Sequence, residues 1–151
     1  MTKKTVLITG ASGDLGISLI QFYSKKNYSV IATVKNLKKK SKFLNKFKKN
    51  KNISFFELDL SKDDIKITNN LKKIIQNLKK VDSLILNAGT IFNGLINFSD
   101  ISDVKKLFQV NFFSNLIILQ IFLKKLIISQ GNIIFVSSTS AEDCPIGRMA
   151  Y

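Results

Sequence analysis

Three glycines spaced three residues apart, Gly10, Gly13 and Gly16, punctuate "TGASGDLG" (9–16) directly after the apolar run "KTVLIT" (4–9). Between a strand and a helix, that spacing suits phosphate chemistry. The first glycine permits a tight turn, and the second lets backbone approach a pyrophosphate. The third lets the helix pack close, with its N-terminal amides aimed at the phosphates. A plain glycine turn is the competing reading. A second apolar run, "SVIATV" (29–34), ends at Lys35 with no acid beside it. An acid there would bind a ribose diol, whereas a base accommodates a 2′-phosphate. With Ser12 as a second phosphate ligand, Lys35 favours NADP(H) over NAD(H), unless it is one more solvated lysine. In "LDLS" (58–61), Asp59 stands where a carboxylate accepts from an adenine amino group, or where it serves the turn that follows. In "NAGT" (87–90), Asn87 can tie backbone segments together, while Ala88 and Gly89 leave room for a flat ligand. Leu15 and Leu60, inside the first and third of these motifs, join the candidate set.

All of these residues fall at the ends of predicted strands. The strands are "KTVLIT" (4–9), "SVIATV" (29–34), "ISFFEL" (53–58), "DSLILN" (82–87) and "GNIIFVSS" (131–138). Between them the apolar period lengthens to that of helices. One helix is expected over roughly 14–26, and Leu37, Phe43, Leu44 and Phe47 mark a second stripe. Ser61 and Asp64 match a capping box opening a third helix, whose core side carries Ile67, Leu71, Ile74, Ile75 and Leu78. A long helix covers about 101–128. Strands that are apolar on both faces and alternate with helices imply an α/β fold, a Rossmann-type doubly wound parallel sheet. Residues 1–151 form one domain, without repeat or linker. Such folds bind ligands outside the carboxyl ends of their strands.

Composition narrows the partners. The chain of 151 residues carries 24 Lys+Arg against 10 Asp+Glu, a formal net charge of +14. Arg148 is the only arginine. The lysines cluster at 36–51, 69–80 and 122–126, broken at helical spacing by apolar residues. Solvated outer faces of amphipathic helices explain them better than a nucleic-acid site, which favours arginine forks. Cys144 is the single cysteine, so no internal disulfide forms, and a reducing, cytoplasmic setting fits. The run at 112–128 is interrupted by Asn115, Gln120, Lys124 and Lys125, short of the ~18 uninterrupted apolar residues that mark a bilayer span. No membrane is expected as a partner.

The order "TGxxGxxG", "LDLS", "NAG", "VN" and "SS…Y" resembles the short-chain dehydrogenase/reductase family along the whole chain. The family pattern has Thr-Gly, three variable residues and Gly-x-Gly. Here Asp14 replaces the middle glycine and Gly13 stands one position earlier, a spacing similar to the extended and atypical branches. An acid at that place is tolerable if it points to solvent. The resemblance implies NAD(P)-dependent oxidoreduction of an alcohol/carbonyl pair, with a small-molecule substrate. It makes Tyr151 the proton donor to the carbonyl, and Ser138, thirteen residues earlier, the group that holds the carbonyl oxygen. Asn111 in "QVNFF" resembles the asparagine that anchors a proton-relay water. The family's lysine would stand four residues past Tyr151, where its charge lowers the phenol's pKa. The resemblance therefore implies an amino-terminal part cut within the active site and inactive alone. It also implies a homo-oligomer through the helix around 101–128, which is apolar on more than one face. A non-catalytic dinucleotide-binding module or regulator is the alternative.

Overall fold

The computed structural model describes residues 3–76 and 78–143. Five parallel strands, β1 (Thr5–Ile8), β2 (Ser29–Val34), β3 (Ile53–Glu57), β4 (Ser83–Leu86) and β5 (Asn132–Phe135), lie in the order β3-β2-β1-β4-β5. The order reverses direction between β1 and β4, which makes that gap the switch point of a doubly wound sheet. The helices are α1 (Asp14–Lys25), α2 (Ser41–Phe47), α3 (Asp64–Ile75), α4 (Ile101–Phe108), α5 (Ser114–Ser129) and α6 (Ser140–Asp143).

Alternation along the strands builds two cores. Val6, Ile8, Val30, Ala32 and Ile85 face one side and pack with Ile20 of α1 and Phe43 of α2. Leu7, Ile31, Leu84 and Leu86 face the other and pack with Ile67, Leu71 and Ile74 of α3 and with Ile118, Phe122 and Leu126 of α5. A strand whose successive side chains enter opposite cores has little room for polar residues, which is why β1 and β4 read as apolar runs after Thr5 and Ser83.

Two expectations are corrected. The Ser61–Asp64 capping box does not form. Asp63 caps α3, its carboxylate accepting from the Lys66 amide at 2.9 Å. Ser61 is drawn elsewhere: its hydroxyl and amide both donate to Asp59 Oδ1, at 2.6 and 3.0 Å. A carboxylate two residues upstream closes an Asx-type turn on Ser61 and leaves the cap to the next suitable oxygen.

The second concerns the long helix. α4 and α5 run on through a π turn (Gln109–Phe113), and the continuous helix Ile101–Ser129 is long and apolar enough, by length and composition, to cross a membrane. The interruptions within 112–128 do not prevent that. Its inner stripe nevertheless packs against α3 and the sheet. Only 28% of its most apolar stretch is buried, so Leu116, Leu123, Ile127 and Ile128 present an apolar outer face. At the adjacent edge, Ile133, Ile134 and Phe135 of β5 are likewise exposed.

Candidate active site

A cleft of about 670 Å³ opens at the carboxyl ends of β1 to β4. All eleven residues singled out as dinucleotide contacts line it, from Gly10 to Gly89. Its centre is a lock between β1 and β4. Thr9, fully buried, accepts on Oγ1 from the backbone amides of Asn87 and Ala88, each at 3.0 Å. Asn87 returns the tie, its Nδ2 donating to the carbonyls of Thr9 at 3.0 Å and Gly10 at 3.2 Å. Four hydrogen bonds thus hold the two strand ends at the switch point.

Above that lock the glycines have different reasons to be there. Gly10 has φ +62, and a Cβ on it would meet the Ala88 Cα at 2.7 Å. A Cβ on Gly16 would meet the Ala11 Cα and the Gly10 carbonyl, both at 2.7 Å. Both are required by packing. Gly13 is not: its backbone is extended (φ −80, ψ 166), and the nearest atom to an added Cβ is 3.7 Å away. A side chain at Gly13 would instead occupy the cleft. Gly13 is also the N-cap of α1 and offers no side-chain cap, so among the described residues the first-turn amides of Asp14, Leu15 and Gly16, which line the cleft, have no acceptor. A bare helix N-terminus over an empty glycine is a fitting seat for a pyrophosphate.

The rim of the cleft beyond β2 and β3 carries charge. Lys35 Nζ lies 3.7 Å from Asp59 Oδ1 and is itself 69% exposed, so it is held loosely and can turn to another anion. Burial pushes the Asp59 carboxyl up, but its two bonds from Ser61 and the charges of Lys35 and Lys62 outweigh this and hold it below its ordinary value. Asp59 is ionised at neutral pH and serves both the turn and the cleft wall.

Asn111 sits in the π turn. Its side chain is tied to one residue: Oδ1 accepts from the Thr90 amide at 2.9 Å, and Nδ2 donates to the Thr90 carbonyl at 2.8 Å. It therefore fixes the end of the "NAGT" loop, and each end of the side-chain amide keeps one further hydrogen-bonding position. Its main-chain carbonyl accepts from Asn115 Nδ2 at 2.8 Å. Ser138 follows β5, half-buried, with Oγ accepting from the Ser140 amide at 3.2 Å, and it does not line the cleft. Its hydroxyl proton stays available for donation. Tyr151 lies outside the described residues.

Sequence reasoning passed over several residues of this site. Thr9 acts on residues 78 and 79 positions away, and nothing local marks it. Asp103, Lys106, Leu107 and Val110 of the α4 segment also line the cleft. Their spacing of i, i+3, i+4 and i+7 is one helical face, which was legible as a face but not as a wall.

Comparison with known proteins agrees with this geometry. The sequence profile of the short chain dehydrogenase family matches residues 4–151. A dehydrogenase/reductase SDR family protein 7-like of Dictyostelium discoideum is 33% identical over 98% of this chain and 49% of its own length. The 3-oxoacyl-[acyl-carrier-protein] reductase FabG of Buchnera aphidicola is 30% identical over 99% of this chain and 61% of its own length. The chain thus spans about half to three-fifths of the curated relatives it matches. Among solved structures, ElxO with NADP bound superposes with a TM-score of 0.86 at 27% identity, covering 99% of this chain and 61% of that one. The fold, the order of its motifs and these likenesses together place the chain in the short-chain dehydrogenase/reductase family.

Proposed function

We propose that this chain is the cofactor-holding part of an NADPH-dependent carbonyl reductase or alcohol dehydrogenase. The observation that carries the reading is the convergence of an unused glycine, an uncapped helix N-terminus and an exposed lysine on one cleft at the β1/β4 switch point. The amides of Asp14, Leu15 and Gly16 hold the pyrophosphate. Lys35 takes the 2′-phosphate, and Asp59 accepts from the adenine. The Asn87–Gly89 backbone supports the flat ring, and the bound nicotinamide supplies or takes up hydride. Ser138 donates to the substrate's carbonyl oxygen, Tyr151 delivers its proton, and Asn111 anchors a relay water. The preference for NADP(H), which ElxO shares as a bound ligand, follows from Lys35. The chain is expected to bind this cofactor.

Fluorescence titration with NADPH and NADH, followed by NADPH consumption against a panel of aldehydes, ketones and 3-oxoacyl thioesters, tests the reading. Saturable binding with NADPH preferred is expected. Absence of binding to either nucleotide would sink it, and binding without hydride transfer by the complete protein would favour the non-catalytic module.

The outer face of α5, with Leu123 and Ile127 exposed, supports self-association. Light scattering of Ile127→Lys should then show a smaller particle than the parent chain, and an unchanged mass would remove this support. The packed inner stripe of α5 supports a role without a membrane. The interleaved lysine faces support one without nucleic acid, and the single thiol supports a cytoplasmic location.

A further inference from the structure

The cleft is electrically at odds with the rest of the molecule. In a chain of net charge +14, the described residues that line the cleft include three acids, Asp14, Asp59 and Asp103, against two lysines, Lys35 and Lys106. Asp59 is committed to Ser61 and Lys35. Asp14 is not committed. It is the first residue of α1, exposed, and its carboxylate has no hydrogen bond or ion pair among the described residues. It shares the helix end with the uncapped amides just described.

A carboxylate in the first turn of a helix interacts favourably with the positive end of the helix dipole. It does for the free protein what a phosphate would do for the bound one. When a dianionic pyrophosphate arrives at the same turn, the two anions compete for one set of donors and repel each other. We propose that Asp14 is a built-in competitor at the pyrophosphate seat, a residue that stabilises the empty helix end and lowers affinity for the dinucleotide. The inference rests on the cofactor reading above and specifies which residue sets the affinity of that site. It also gives the glycine displacement a consequence: with Gly13 one position early, the place of a neutral glycine is taken by an anion.

The test is Asp14→Asn, a neutral near-isostere on an exposed position. Affinity is read by fluorescence titration of the same chain with NADPH, at low and high salt, and with adenosine 2′-monophosphate as a ligand that lacks the pyrophosphate. NADPH should bind the variant about three- to tenfold more tightly at low salt. The gain should shrink in high salt, where exposed charges are screened. Binding of adenosine 2′-monophosphate should stay the same, and the melting temperature of the ligand-free variant should fall slightly. Tighter binding with lower intrinsic stability is a pair of signs that general repacking does not produce. Equal or weaker NADPH binding by D14N, with the parent chain binding normally, overturns the inference and leaves the cofactor reading standing. If neither chain binds NADPH, the cofactor reading fails and this inference falls with it.

Discussion

Replacing Thr9 by valine tests whether the switch point is locked as described. Valine keeps the β-branched shape that a buried strand end accepts, and removes one oxygen. That oxygen is the acceptor for two backbone amides, those of Asn87 and Ala88, each at 3.0 Å. Its own donation to the Ile85 carbonyl, at 3.5 Å, contributes little. Each amide is part-buried, so leaving it without an acceptor costs about 1–1.5 kcal/mol, toward the lower end for stranded polar groups. The two together come to about 2–3 kcal/mol. For a domain whose whole stability is of order 5–15 kcal/mol, that is a large share.

Urea denaturation followed by circular dichroism reads the change directly, and the slope should be unaltered because the surface exposed on unfolding is the same. Thr9→Ser keeps the oxygen and loses a methyl group, so it should recover most of the loss. The affinity for NADPH should fall with T9V, because the Asn87–Gly89 backbone loses two of the four bonds that pin it to β1. A stability change under about 0.5 kcal/mol, or T9S as damaging as T9V, would show that the hydroxyl is incidental and that packing alone holds the strands together.

Three further outcomes follow from the site. Gly13→Ala should melt like the parent but bind NADPH at least about tenfold more weakly, whereas Gly16→Ala, forced onto backbone at 2.7 Å, should lose stability first; differential scanning fluorimetry with and without nucleotide separates the two. Lys35→Ala should weaken NADPH by about tenfold and leave NADH nearly unchanged in parallel titrations, since one charge-assisted contact to the 2′-phosphate is lost. The carboxyls of Asp59, Asp63 and Asp100 all sit below their ordinary value of 3.8: burial at Asp59 is outweighed by its Ser61 bonds, and the others accept amide bonds from Lys66 and Ser102. With the folded values depressed, their contribution is complete above the unfolded value and is lost as pH falls through the folded one. Melting temperature should therefore decline below about pH 4, and Asp63→Asn, which keeps a capping oxygen but cannot titrate, should decline less steeply.

The large features were legible because they repeat. Five apolar runs bounded by glycine, asparagine or aspartate give the strands, and the residues at their carboxyl ends give the cleft, since a parallel sheet brings those ends to one side whatever the helices do. What stayed hidden depends on a choice among local hydrogen-bond partners. Asp63 and Ser61 could each cap α3, and the deciding factor was a third residue, Asp59, competing for Ser61. No pattern match weighs that competition. Thr9 stayed hidden for the opposite reason, because its partners are distant and a threonine after a strand is unremarkable on its own.

The π turn joins both lessons. The segment 101–129 is apolar on nearly every side, so its period does not report a single extra residue in one turn. The structure shows how the turn is sustained: the Ser114 amide reaches back to the Gln109 carbonyl, five residues away, which widens the turn. The Ser114 hydroxyl donates to the Val110 carbonyl at 2.7 Å, and the Asn115 side-chain Nδ2 donates to the Asn111 carbonyl at 2.8 Å. Two buried polar side chains at successive positions, 0% and 7% exposed at the start of a helix rich in Leu, Ile and Phe, support the carbonyls of the widened turn. The turn carries Asn111 to the Thr90 backbone, and Val110 and Leu107 to the cleft wall. The greasiest helix of the chain therefore owes its place at the site to its few polar residues, Ser114 and Asn115 among them.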